Sequence, residues 1–259
     1  MSTKTPTSID SDTVVVTKPA HYDDVTCTRF EARAPVSIAA SLDAAEVDIA
    51  ASLDAAEVDI AAPVSVDGPV NADTVSCSGT LGVTGPLHTD TLTVTGSIGV
   101  DGPTSAGRVS IEGAGQFADL ATDELSVHGA LEGVEISADT VEVHGAIDCR
   151  RIAAGSIEVR GGIECGRLAA DEVSLSLGSE SAVEAIEADH VTITRGEQDG
   201  FLVADRVVGE RIEVEHADVE SVQGDVVTVG PGARIGTLRA ARYDIDEDAT
   251  VGEIVENSG

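Results

Sequence analysis

Two histidines recur one repeat apart and are the first candidates for chemistry. His128 and His144 each precede a glycine, and Arg160 occupies the same position in the following repeat. If successive repeats stack, the two imidazoles lie about 5 Å apart on the surface, where a zinc or nickel ion could bridge them. Two imidazoles without a third ligand form a weak site. The sequence therefore favours a solvated ladder of side chains and predicts no metal.

Two cysteines, Cys149 and Cys165, show the same spacing. Other repeats carry Val83, Val100 and Phe117 at this position, which is typical of the interior. We therefore expect a buried pair of reduced thiols, although a stacked spacing near 5 Å also permits a disulfide. The four cysteines of the chain include no C-x-x-C pair and are too scattered for a disulfide scaffold or a zinc site.

Acidic residues are so frequent that pairs such as Glu142 and Glu158 arise by chance and indicate no catalysis. The phrase VGPGARIG near the C-terminus is similar to the hexapeptide repeats of left-handed β-helix acyltransferases, enzymes with a histidine as general base. That alternative requires a strict six-residue rhythm, which a single phrase does not supply. We predict no enzyme activity, no catalytic residue and no cofactor, and keep the acyltransferase as the alternative.

Composition limits both the core and the partners. The chain has 42% hydrophobic residues but no Trp, three Phe and two Tyr, so its core must be aliphatic. The net charge is -32, with only two lysines among 15 basic residues. Such a surface repels nucleic acid and anionic membranes, and it predicts a protein of a high-salt cytoplasm. No segment approaches the roughly 20 apolar residues of a transmembrane helix, and no secretion signal is visible, so we expect a cytoplasmic protein.

A phrase with a period of 16 to 17 returns along the centre of the chain, as in TDTLTVTGSI, TDELSVHGAL and ADTVEVHGAI. Alignment of the copies gives two apolar columns separated by one polar residue, the alternation of a half-buried strand. A glycine follows the strand in six successive copies and predicts a corner where a Cβ would clash. The first column contains Val75, Leu92, Val109, Leu125, Val141, Ile157, Val173 and Val191; the second contains Cys77, Val94, Ile111, Val127, Val143, Val159, Leu175 and Ile193; and the glycines are Gly79, Gly96, Gly113, Gly129, Gly145 and Gly161.

Two further apolar positions recur in each repeat, for example Ile147 and Ile152 after Val141. Three short strands per turn then describe a triangular coil in which turns stack at about 4.8 Å. The sequence predicts an all-β fold, a triangular β-solenoid of about 16 to 17 residues per turn and about fourteen turns.

The N-terminal third contains an unchanged tandem, IAASLDAAEVD at 38–48 and again at 49–59. An 11-residue period could be helical, with Ile38, Leu42 and Leu53 on one face. It also equals two solenoid faces of about 5.5 residues, and this interpretation explains the paired apolar positions better. Those pairs are Val14 with Val16, Val25 with Cys27, Val36 with Ile38, Val47 with Ile49 and Val58 with Ile60.

The predicted organisation is a disordered tail at 1–12, a single β-helix domain at 13–255 and a short tail at 256–259. The turns are expected to be regular to about residue 194. Over 195–255 the rhythm loosens after an insertion near RGEQDGF, and less regular turns are expected. A separate domain there is the alternative, although no linker composition marks a boundary.

The stretch VHGAIDCRRIAAGSIEVRGGIECGRLAADEVSLSL, residues 143–177, resembles the bactofilins, whose repeats alternate G-x-I-x-A with V-x-I-x-G segments. With the acidic surface, it is similar to their haloarchaeal counterparts, the halofilins. The resemblance implies a right-handed parallel β-helix that assembles end to end into filaments without nucleotide and contributes to cell shape. It implies the chain itself as partner, with other cytoskeletal or envelope-associated proteins as further candidates and a location beneath the membrane. Unlike the family, the chain has no obvious membrane-targeting tail, which leaves membrane association open.

A solenoid can polymerise for a physical reason, because its terminal coils offer unpaired backbone groups and an open aliphatic core. We therefore hypothesise that the terminal turns form the polymer interface. The residues proposed for it are Val14, Val16, Val25, Val36, Ile245, Val251 and Ile254.

Overall fold

The computed structural model describes residues 9–22, 25–38, 42–61, 63–196 and 200–256. These residues form strands and turns without a helix, and the strands pair in parallel as a β-solenoid of about 14 turns. The predicted all-β solenoid is confirmed. The chain divides into two compact units, Met1–Asp123 and Glu124–Gly259. The single domain at 13–255 stays a prediction.

The first unit is built from strands that pair with the strand one coil later. Val75 is in register with Leu92, and Leu92 with Val109, one coil further on in each case. All three side chains are fully buried, which confirms the first predicted column in this unit. The strands are β1 (Ile9–Val16), β2 (Ala20–Tyr22), β3 (Val25–Ala32), β4 (Val36–Ile38), β5 (Leu42–Ile49), β6 (Leu53–Ile60), β7 (Pro63–Val66), β8 (Val70–Cys77), β9 (Thr80–Val83), β10 (Leu87–Val94), β11 (Ser97–Ile111) and β12 (Ala114–Val127), which contains the boundary.

The tandem copies form two strands with the same sequence, LDAAEVDI, in β5 and β6. They do not stack on each other: β5 pairs with β3 and β7, whereas β6 pairs with β4 and β8. The copies therefore occupy different faces of the coil, as an 11-residue step in a 17-residue turn requires. The helical alternative is wrong. The predicted inward side chains of Cys27, Ile38 and Leu42 lie outside the described side chains.

Strand β1 begins at Ile9, so it includes residues 9–12, which the sequence placed in a disordered tail. Residues 1–8 lie outside the described part of the chain. Val14 is in register with Phe30, and both side chains are buried. The 16- to 17-residue coil is therefore already present in the first described strands, where the apolar pairs of the sequence recur every 11 residues.

The second unit continues the pattern in its own ladder. Val141 is in register with Ile157, and Val173 with Val191, and all four lie in the core. The coil then lengthens, since Ile186 pairs with Val207 across the insertion. Later ladder pairs return to shorter steps, as between Val207 and Val222 and between Val222 and Leu238. The less regular turns expected over 195–255 stay a prediction, and residues 197–199 of the insertion lie outside the described part. The strands are β13 (Ala130–Val143), β14 (Ala146–Leu177), β15 (Glu180–Arg195), β16 (Phe201–Val214), β17 (Ala217–Val229), β18 (Arg234–Ile245) and β19 (Thr250–Glu256).

The recurring glycine has a steric cause. A Cβ on Gly96 would lie 2.0 Å from the carbonyl oxygen of Gly79, and a Cβ on Gly161 would lie 2.1 Å from that of Gly145. At Gly96, Gly113, Gly145 and Gly161 the backbone of one coil approaches the backbone of the previous coil more closely than any side chain permits. Gly161 also has φ +148°, a conformation that other residues rarely adopt. The predicted clash is confirmed at these four corners.

Candidate functional site

The last described coil of the second unit carries the candidate site. A single aliphatic column runs through this unit in strict register and reaches Ile254 at its end. Every member before Ile254 is fully buried, whereas Ile254 is 42% exposed. The members joined by successive ladder pairs are Leu168, Ile186, Val207, Val222, Leu238 and Ile254.

The other core columns end in the same way. Tyr243 stands in register with buried Val227 but is 44% exposed, and Ile245, in register with buried Val229, is partly exposed. Val251 follows buried Ile235 and is also partly exposed. The registers of β19 run to β18 and end at Ala240 with Glu256. Four inward positions of the coil thus meet solvent together.

A tight turn positions β19 beneath β18. The backbone N–H of Asp248 donates to Asp246 Oδ1 at 2.9 Å, and that of Ala249 donates to the Asp246 carbonyl at 3.1 Å. The N–H of Thr250 then returns to the Ala233 carbonyl of the previous coil at 2.9 Å. Aspartate is well suited to this place because its carboxylate accepts from the backbone two residues on. The chain therefore enters β19 already in ladder register.

The hypothesised interface residues fall into two groups. Those of the second unit, Ile245, Val251 and Ile254, share the surface of the last coil. Those of the first unit, Val14, Val16, Val25 and Val36, are all buried within their own coils. Sequence reasoning missed Tyr243, whose place one repeat after Val227 would have found it.

The histidine ladder forms as expected on the surface of the second unit. The rings of His128 and His144 stack with centroids 5.0 Å apart and an interplanar angle of 7°. His144 Nε2–H donates to Glu142 Oε1 at 2.7 Å, and this hydrogen bond, with smaller Coulombic help from His144, Arg160 and His128, lowers the pKa of Glu142. One coil later Arg160 pairs with Glu158. Along this column, His144 pairs with Glu142 and Arg160 pairs with Glu158 at the surface.

The cysteine pair is buried beneath a groove of the same unit. Cys149 donates its thiol hydrogen to Cys165 Sγ over 3.1 Å. That hydrogen bond, together with burial, raises the pKa of Cys149. The groove has a volume of about 900 Å³, and its walls include both cysteines and Arg150, Arg151 and Arg167. The predicted buried position of both thiols is confirmed.

An acidic groove of about 730 Å³ lies on the first unit, lined by Asp54, Asp73, Asp90 and His88 among others. Asn71 Nδ2 donates to Asp54 Oδ1 at 2.7 Å, so this carboxylate is partly occupied. Within the described ranges, no group of three or more His, Cys, Asp or Glu side chains has the arrangement of a metal site.

The chain was compared with protein-family models, with curated proteins and with solved structures. It matches none of them. Of the residues that the structure describes, none belongs to a helix long and apolar enough to cross a membrane. Function must therefore be argued from the surfaces themselves.

Among these surfaces the last coil differs from the rest in kind. The histidine row and the acidic groove are polar and solvated, whereas the last coil exposes side chains that every earlier coil of the unit buries. Such a surface can bind another apolar surface and can extend a parallel ladder.

Proposed function

We propose that the protein is a self-assembling structural scaffold whose copies join through the last coil, as its resemblance to the bactofilins implies. One observation carries the proposal: four core columns of the second unit end in apolar side chains that are exposed at Tyr243 and Ile254 and partly exposed at Ile245 and Val251. The cellular role that fits is a cytoskeletal polymer that contributes to cell shape in a high-salt cytoplasm, located beneath the membrane.

A second copy of the chain is the occupant that fits this surface best. Each coil presents backbone donors and acceptors at the ladder spacing of about 4.8 Å, together with alternating inward aliphatic side chains. The first coil of another copy supplies the same spacing and the same alternation, so copies that join last coil to first coil can continue into a polymer. Joining would complete the hydrogen-bond ladder of β19 and remove the exposed ends of the columns from water.

Salt is needed for this association because both partners are strongly acidic. Each copy carries a net charge of -32, so two ends approach against repulsion. The screening length falls from about 10 Å at 0.1 M salt to about 3 Å at 1 M. Assembly should therefore be weak in dilute buffer and strong in molar KCl.

The decisive experiment compares the wild-type chain with Ile254→Asp by sedimentation and negative-stain microscopy over a KCl series. Wild type should form long assemblies in molar KCl, and Ile254→Asp should remain small because it places a charge among the exposed column ends. Val203→Asp is the matched control, since Val203 is 45% exposed on the outside of the second unit. It should assemble like wild type.

Two results would contradict the proposal. If Ile254→Asp and Val203→Asp assemble equally, the last coil is not the contact. If the wild-type chain stays a discrete small species at every salt concentration, the chain does not polymerise, and the hexapeptide-type acyltransferase becomes the better hypothesis, to be tested by acyl transfer from a thioester.

A further inference from the structure

The buried cysteines of β14 form a pair whose geometry differs from that of other core residues. Cys149 and Cys165 occupy the same inward column one coil apart, with their sulfur atoms 3.1 Å from each other. We propose that this pair is a thiol–disulfide exchange site, at which small disulfides reversibly convert Cys149 and Cys165 into an inter-coil disulfide. The proposal is independent of polymerisation and concerns the second unit alone.

The backbone is already placed for the bond. A Cβ on Gly166 would lie 2.7 Å from the Arg150 carbonyl oxygen, so these two residues are stacked one coil apart, and their neighbours Cys165 and Cys149 are stacked in the same way. The ladder spacing of about 4.8 Å falls within the range of about 4.4–6.8 Å between the Cα atoms of disulfide-bonded cysteines. The sulfurs need to close by only about 1 Å to reach the bond length of about 2.05 Å.

The surroundings let a small reagent reach the sulfurs. In the preceding coil the residue in register with Cys149 is Gly133, which adds no side chain above that thiol. Gly166, next to Cys165, also has no side chain and lines the same groove. The groove of about 900 Å³ includes both cysteines in its wall. Buried thiols of a packed column normally lack such an approach.

The hydrogen bond assigns the order of reaction. Because Cys149 donates to Cys165 Sγ, negative charge is best accommodated on Cys165, which attacks one sulfur of the small disulfide and releases the first thiolate. Cys149 then loses its proton to solvent, attacks the Cys165 sulfur of the mixed disulfide and releases the second thiolate. The two cysteines lose two electrons and two protons, and one small disulfide becomes two thiols.

The spacing also makes the bond reversible. Side chains stacked in a parallel ladder keep their Cβ atoms near the ladder spacing of about 4.8 Å, whereas disulfides average about 3.8 Å between Cβ atoms. The coils must therefore tighten locally when the bond forms. A disulfide under such tension has a more oxidising potential and is readily reduced by excess thiol.

The chain offers an internal control in Cys77. This cysteine is equally buried and donates to the Ser97 carbonyl at 3.4 Å, but its neighbours in register are Ile60 and Val94. Burial raises the pKa of its thiol. It has no cysteine to resolve a mixed disulfide, so it should remain reduced.

The test treats the reduced, folded full-length chain in molar KCl with bis(2-hydroxyethyl) disulfide, an uncharged probe. The protein is then denatured with an alkylating agent, digested with trypsin and examined by mass spectrometry. Cleavage after arginine places Cys149 in peptide 109–150 and Cys165 in peptide 161–167. We expect these peptides to be joined, with a loss of about 2 Da, while the Cys77 peptide 34–108 is alkylated. Dithiothreitol should restore both thiols.

Single variants separate exchange from chance oxidation. Cys149→Ser should trap the hydroxyethyl adduct on Cys165, whereas Cys77→Ser should leave the joined peptides unchanged. The proposal fails if both cysteines of the folded wild-type chain are alkylated fully after treatment with the probe. It also fails if Cys149 or Cys165 becomes joined to Cys27 or Cys77 instead. Neither result requires that a variant fold.

Discussion

Replacing Gly96 by alanine should destabilise the first unit, whereas the same change at Gly99, on the next strand, should not. A Cβ on Gly96 would lie 2.0 Å from the Gly79 carbonyl oxygen, and real Cβ contacts are essentially never below 3.0 Å, so the coils must separate by about 1 Å. A Cβ on Gly99 meets nothing within 4 Å. The two variants therefore differ in whether the added Cβ clashes with the backbone of the previous coil.

The magnitude follows from the hydrogen bonds that hold this corner. The N–H groups of Thr95, Gly96 and Ser97 donate to the previous coil over 2.9, 3.1 and 2.8 Å. Separation by about 1 Å stretches all three beyond hydrogen-bond length. At about 1 kcal/mol for each lost bond, Gly96→Ala should cost roughly 3 kcal/mol. Gly99→Ala should stabilise by about 0.4–1 kcal/mol, because alanine restricts the unfolded chain.

The assay is urea unfolding of both variants in molar KCl, followed by circular dichroism, with amide hydrogen exchange as a local measure. Exchange should accelerate around residues 94–97 in Gly96→Ala and remain at the wild-type rate in Gly99→Ala, since solenoid coils depend mainly on their neighbours. If both variants unfold at the same urea concentration, close backbone approach does not explain the glycine column.

Two further predictions concern the second unit. The pKa of Glu142 is lowered by its hydrogen bond to His144, so the ionised carboxylate stabilises the fold above the ordinary pKa of 4.5, and this contribution is lost as pH falls through the lower pKa of the folded state. Urea midpoints measured from pH 7 downward should therefore drop less in Glu142→Gln than in wild type. Equal dependence of the two midpoints on pH would contradict this prediction. Leu238→Ala should lower the free energy of unfolding by about 2–5 kcal/mol, as for other buried leucines. Ile254→Ala, measured on the dilute, unassembled chain, should lower it by less than half as much. Equal losses in urea unfolding would show that the Ile254 side chain is covered.

The solenoid was predictable because every coil needs the same inward apolar positions, so these positions recur in the sequence with the period of the coil. Each coil places an aliphatic side chain over that of the previous coil. Residues that stack in space, such as Val141 and Ile157, are therefore one repeat apart in sequence. The same logic located the glycine corners and the stacked pairs of histidines and cysteines. Because the contacts of a solenoid join residues about one repeat apart, the period of the sequence predicts the topology.

Interface residues were less predictable because exposure depends on the neighbouring coil rather than on the residue. Val14 and Ile254 look alike in sequence, each inward-facing in a terminal turn, yet Val14 is buried and Ile254 is not. Tyr243 escaped notice because an aromatic residue breaks an otherwise aliphatic column. Alternation identifies which side chains point inward, but only the arrangement of coils shows which inward positions are covered.

The composition of the last coil is the strongest reason to expect a partner there. Terminal repeats of solenoids that remain single generally carry polar residues where inner repeats carry apolar ones, because those positions face water. Here Val251 and Ile254 keep the aliphatic pattern of the inner coils although Val251 is partly exposed and Ile254 is exposed. The chain contains 47 acidic residues, so polar side chains are common in its composition. The apolar residues retained at this end match what another coil would present, and Ile254→Asp tests that match directly.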